Sequence, residues 1–168
     1  RPMVAALAFL TDGISLKLAL FRLHSWLPGA YAYAPSWATV FLSATATKVA
    51  IYLLVRFLFS IFGIALDLPS LPVAEVLLAL SIAAMFIASI IAVYQSNLKR
   101  MLAYSSLAQV GYMILGIGIA NQAGLTGGLV HLVNHAMMKA ALFLAMGSLF
   151  YRVGTVHLAE IAGIGRKM

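Results

Sequence analysis

His131, His135 and Lys139 recur at four-residue steps within the apolar stretch Leu125 to Tyr151. On an α-helix each such step drifts about 40° and rises about 6 Å, so the three side chains form a column along one face. A neutral imidazole donates from one ring nitrogen while accepting at the other, and it titrates near cellular pH. A lysine taken out of water loses hydration of its charged form and can then load and release a proton. The column therefore has the parts of a proton relay. Lys17 and Lys48 also interrupt apolar runs. A charge at the centre of a membrane helix costs roughly 2.5–3.5 kcal/mol on insertion scales, so its default reading is functional.

Other readings of the same residues stay open. Lys17, near the end of its run, has the reach to snorkel to the membrane interface. His131 and His135 have zinc-ligand spacing, but no glutamate follows His131 and no third ligand is evident. Either histidine, with Asn134 beside it, can instead hydrogen-bond to a neighbouring helix. The acids are few: Asp12, Asp67, Glu75 and Glu160. Asp12 and Lys17 are five residues apart, about 140° around a helix, and make poor partners. The acid that would pair with Lys17 is expected outside this chain.

The elements that position these groups follow from composition. Of the 168 residues, 64% are hydrophobic and 9% charged, with a mean hydropathy of +1.04. Soluble domains are about 25% charged, so a soluble core is excluded. Apolar runs long enough to cross about 30 Å of hydrocarbon recur at 3–25, 37–60, 73–94, 101–120 and 125–151. The fold class is all-α: a polytopic membrane helix bundle of about five spans in a single domain. Beginning at Arg1 rather than methionine, the chain reads as a piece of something longer. Cysteine is absent, which excludes disulfides, thiolate catalysis and iron–sulfur ligation by this chain. The net charge of +7 is scattered rather than patched, so nucleic acid is not an expected partner. No nucleotide loop, cofactor ligand or activated nucleophile is visible, so neither a catalytic residue, a cofactor nor a metal is expected.

If the spans alternate, the segment Trp26 to Pro35, the segment at Lys99 and Arg100, and the C-terminal tail share one side. That side holds Arg22, Lys99, Arg100, Arg152, Arg166 and Lys167, against Arg1, Arg56, Asp67 and Glu75 on the other. The positive-inside rule places the richer side in the cytoplasm. Glycines 111, 116, 118, 124, 127 and 128 are expected to serve close helix packing. Tyr31, Tyr33, Trp26 and Trp37 are expected to form an interfacial belt. The stretch Pro28 to Pro35 has the prolines of a broken-helix edge.

These residues occur together in four blocks: Lys17-Leu-Ala-Leu-Phe-Arg22-Leu-His24-Ser-Trp26-Leu-Pro28; Ala46-Thr-Lys48-Val-Ala-Ile-Tyr52; Leu98 through Tyr112; and His131 through Leu144. In this order they resemble the antiporter-like proton-translocating membrane subunits. That family includes the large membrane-arm subunits of respiratory complex I, the large subunits of Mrp-type cation/proton antiporters, and related hydrogenase subunits. Lys48, the segment Trp26 to Tyr31 and the His131-His135-Lys139 helix look most like the D-type large subunit of the Mrp antiporters.

The resemblance implies a larger inverted-repeat fold of about fourteen helices, of which this chain is the middle. It implies that Lys17 lies in a broken helix and pairs with a glutamate from an earlier helix. Lys48 would bridge two half-channels, and His131, His135 and Lys139 would line the second. The family usually has proline where Arg22 stands. An arginine neither breaks a helix nor is cheap to bury, so Arg22, His24 and Pro28 are candidates either for the helix break or for the interface. The expected function is a proton-translocating subunit of a multisubunit monovalent cation/proton antiporter in a bacterial inner membrane. Its expected partners are other subunits, the lipid bilayer and protons, with sodium as a second candidate ion. Alternatives are a proton-pumping subunit of complex I or a related hydrogenase, and a structural membrane subunit that conducts no ion.

Overall fold

A computed structural model describes residues 2–20, 23–61 and 73–166. Helix α1 spans Pro2–Leu18, where the first apolar run was expected to continue to residue 25. It stops because Ala19 turns left-handed, with φ 55°. The Leu20 amide then donates back to the Ser15 carbonyl (3.0 Å) and the Ala19 amide to Leu16 (3.1 Å). This is a Schellman closure with alanine where glycine is usual. The Trp26 indole Nε1 donates to the same Leu16 carbonyl at 3.0 Å. The helix thus ends ahead of position 22, without a proline. Arg22 itself lies outside the described residues, and so does the Asp67–Pro72 turn.

The chain resumes as α2, Trp26–Tyr33. Pro28 falls in its first turn, where a missing N–H costs no hydrogen bond. After the extended pair Ala34 and Pro35, a single rod runs from Ser36 to Ile61. It comprises α3 (Ser36–Phe41), a π turn (Leu42–Ala46), α4 (Thr47–Arg56) and a second π turn (Phe57–Ile61). Then come α5 (Val73–Val93), α6 (Leu98–Gly118), α7 (Gln122–Val153), the short α8 (Leu158–Ile161) and a 3₁₀ turn at Ile164–Arg166. The rod Ser36–Ile61 and helices α5, α6 and α7 are long and apolar enough to cross a membrane. The chain is an integral, multi-pass helix bundle.

Helix α6 is the centre of the bundle, buried along most of its length and packed on α2, α4, α5 and α7. Glycine permits this crowding. A Cβ at Gly111 would lie 2.9 Å from both the Ser81 carbonyl and Met85, so α5 and α6 meet backbone to backbone. A Cβ at Gly116 would lie 2.6 Å from the Gly124 carbonyl, and one at Gly124 would lie 2.7 Å from the Gly116 carbonyl. Gly118 and Gly128 are also closely met, whereas Gly127 faces open space and serves no such packing. Apolar side chains gather on two sides of α6. One cluster joins it to α1, α4 and α5, and the other joins it to α2 and α7.

Between α6 and α7, Ala120 is left-handed (φ 56°) and the Asn121 side chain accepts from the Gly124 amide. At the other end, the Leu98 amide donates to Val156 and the Leu158 amide to Ser96, each at 2.9 Å. Lys99 Nζ donates to the Ala34 carbonyl at 2.9 Å. The three segments expected to share one side are thus tied together.

Candidate functional site

Helix α7 buries a narrow stripe: Gly128, His135, Lys139, Phe143 and Met146. The steps of three, four and seven keep these residues on one face, which turns toward α6. The two helices run antiparallel, and one register serves every contact. Gly124 meets Gly116, His131 meets Gln109, and Lys139 meets Leu102. The close glycine approach at one end therefore sets the depth at which the histidines and lysine enter the bundle.

Lys139 is 3% exposed. Its Nζ donates to the Leu102 carbonyl (3.0 Å) and to Ser105 Oγ (3.1 Å). The Leu102 carbonyl also accepts from Ser106 Oγ at 2.9 Å. Lys48 is similarly buried, and its Nζ donates to the Ser43 carbonyl. That carbonyl belongs to the π turn Leu42–Ala46, which packs on α7. π turns loosen the regular backbone ladder and frequently mark functional sites. Here a carbonyl of the π turn receives an ammonium group. Among the described residues no carboxylate pairs with either lysine.

His135 is within electrostatic range of both lysines. It is buried, and neither ring nitrogen has a hydrogen-bond partner among the described residues. Its ring stacks on that of His131, with centroids 6.0 Å apart and an interplanar angle of 16°. His131 Nε2 contacts Gln109 Oε1 at 2.7 Å, and Tyr112 packs edge-on against the His131 ring. An amide oxygen only accepts, so in this contact Nε2 is the donor. His131 and Gln109 also line an open groove of about 430 Å³ with Tyr112, Gly116, Gly124 and Gly128. The column therefore begins at a groove and ends at Leu102.

The other candidates fall elsewhere. Lys17 is exposed on the last turn of α1 and makes no hydrogen bond to another described residue. His24 lies half-buried in the break, its ring 6.4 Å from that of Tyr104, and Pro28 is buried in α2. Tyr31 is not in an interfacial belt: it is 1% exposed, edge-on to Phe143. Tyr33 and Trp37 are exposed as a belt requires. Sequence reasoning passed over Gln109, Ser105 and Lys99. Gln109 and Ser105 are polar residues inside an apolar run, a signal as available as that of Lys48. Lys99 stands at a span end, where a water-reaching lysine is the ordinary expectation, yet it is buried.

Residues 2–168 match the transmembrane family described as NADH:quinone oxidoreductase/Mrp antiporter. The chain belongs to that family. It is 40% identical over 166 residues to an NADH-quinone oxidoreductase subunit N from Desulforudis audaxviator (strain MP104C), covering 99% of this chain and 33% of the relative. It is 32% identical to an NADH-quinone oxidoreductase subunit M from Rhodobacter capsulatus, covering 96% of this chain and 31% of that one. Among solved structures, the Mrp complex from Dietzia sp. DQ12-45-1b superposes with a TM-score of 0.79 at 32% identity, over 87% of this chain and 26% of that chain. The membrane-bound sulfane sulfur reductase, an archaeal respiratory membrane complex, superposes with a TM-score of 0.78 at 31% identity, over 89% and 30%. The chain spans about a third of the length of the curated relatives it matches. Membership agrees with the resemblance read from the four sequence blocks.

Proposed function

We propose that this chain is the middle part of a proton-translocating, antiporter-like subunit of a multisubunit complex in a bacterial inner membrane. The observation that carries this is the set of buried Lys48, His135 and Lys139 with half-buried His131 stacked on His135, in which the lysines are held by carbonyls and a hydroxyl and His131 by an amide rather than by carboxylates. Two ammonium groups that act on each other and on the His135 imidazole cannot all be charged without cost, so adding a proton at one favours its release from another. That property lets a charge move by steps along the column. Lys17 belongs to the same path, its pairing carboxylate supplied from elsewhere in the full-length protein.

The alternative of a subunit in an NADH:quinone oxidoreductase arm is favoured over the D-type Mrp subunit by one observation, the 40% identity to a subunit N. Protons are the ion in either case, and sodium is a second candidate only in the antiporter.

The deciding experiment is proton flux in everted vesicles carrying the full-length parent protein with Lys139→Met, with complex assembly measured in the same membranes. The expected result is normal assembly and a flux loss of at least about tenfold, in keeping with loss of a proton-transfer group. Unchanged flux overturns the relay. Loss of assembly instead of flux marks the chain as a structural subunit.

A further inference from the structure

Lys99 is a third buried lysine, 6% exposed, and the relay does not use it. It is the second residue of α6. A helix N-terminus carries partial positive charge, so a cation buried there needs compensation. No carboxylate supplies it among the described residues. Lys99 Nζ instead donates to the Ala34 carbonyl at 2.9 Å and lies 5.6 Å from the centroid of the Phe150 ring.

Both partners sit at C-terminal helix ends. Ala34 caps α2, and its extended backbone (φ −66°, ψ 146°) before Pro35 turns its carbonyl out of the helical ladder. The same carbonyl accepts from Thr39 Oγ1 at 3.3 Å. Phe150 lies in the last turn of α7, which closes where the Gly154 amide donates a hydrogen bond to the Phe150 carbonyl (2.8 Å). Two negative helix ends and an aromatic face therefore do for Lys99 what an acid does elsewhere. Through this ammonium α2, α6 and α7 are joined by a charge. One turn further along α6 is Leu102, whose carbonyl receives Lys139.

We propose that Lys99 is a positioning residue for proton transfer, clamping the ends of α2 and α7 onto the first turn of α6. The clamp keeps the Leu102 carbonyl and the Ser105 hydroxyl in register with Lys139 without carrying the proton itself. Its effect on flux rests on the relay reading above, whereas its effect on helix position does not.

The test uses the full-length parent protein in its own membranes, in a background free of other cysteines. Spin labels at Tyr33→Cys on α2 and Arg100→Cys on α6 report the separation of those helices, and flux is measured alongside. With Lys99→Met, assembly persists, the dipolar broadening between the labels is lost, and flux falls about tenfold, the scale of a small misplacement at a transfer site. Lys99→Arg, which keeps the charge and the donors, restores both the broadening and most of the flux. Where Lys99→Met does not assemble, Phe150→Leu is read instead, with a looser label separation and about a twofold flux loss. Unchanged broadening in these variants overturns the proposal, and so does a flux loss that arginine does not rescue. Lys139→Met in the same membranes separates the two ideas. If it conducts normally the relay fails, while the labels still report on the clamp.

Discussion

His135 shows most plainly what a single side chain contributes here. Among the described residues both of its buried ring nitrogens lack a hydrogen-bond partner, and each such group costs about 1–3 kcal/mol. His135→Leu fills similar space without polar atoms. It is expected to leave the thermal unfolding temperature of the detergent-solubilised protein equal or higher while lowering flux at least about tenfold. A fall in both would make the residue part of the packing. His131 differs, because its Nε2 is already engaged by Gln109. The lysines differ again: Lys48 and Lys139 each donate to uncharged oxygens rather than to a carboxylate among the described residues. Lys17, exposed on α1, has no such surroundings within the described residues.

At the scale of elements, three irregularities position the site. The left-handed Ala19 ends α1, the π turn Leu42–Ala46 carries the Ser43 carbonyl that receives Lys48, and the glycine seam lets α6 and α7 approach. Of these only the glycines were legible beforehand, because a small residue states its own use. Alanine does not announce a left-handed turn, so the sequence directs attention to position 22 while α1 ends before it. The π turn leaves no residue signature, since it is a matter of register. The seam makes a paired prediction. Gly124→Ala drives a Cβ to 2.7 Å from the Gly116 carbonyl and is expected to cost about 1–3 kcal/mol, seen as a lower unfolding temperature. Gly127→Ala meets nothing and is expected to be neutral or to gain up to about 1 kcal/mol from helix propensity.

For the whole molecule, the tie between Ser96–Leu98 and Val156–Leu158, with Lys99 on Ala34, collects basic residues at one end, and the Ala120–Asn121 turn marks the other. The positive-inside rule then makes a topological prediction for the full-length protein. This chain has no cysteine, so once any cysteines elsewhere in the full-length protein are replaced, single cysteines placed here report alone. A membrane-impermeant maleimide added to intact cells is expected to label Ala123→Cys and spare Arg100→Cys, with the reverse in everted vesicles. Labelling of Arg100→Cys from outside would invert the assigned orientation. The family match runs over residues 2–168, and the chain spans about a third of the length of the curated relatives it matches.

Composition and period alone determined that the chain is a membrane helix bundle, because 64% apolar residues admit no soluble packing and every backbone group must then be satisfied within a helix. The four-residue spacing likewise determined that His131, His135 and Lys139 share a face, since that follows from helix geometry whatever surrounds it. Tertiary structure decided the rest. Which lysines enter the interior, which oxygens receive them, and that Lys99 is buried while Lys17 is exposed depend on how antiparallel helices register on one another. That register is set by contacts between residues far apart in the chain, such as Gly116 with Gly124 and Leu102 with Lys139, and no local pattern encodes it.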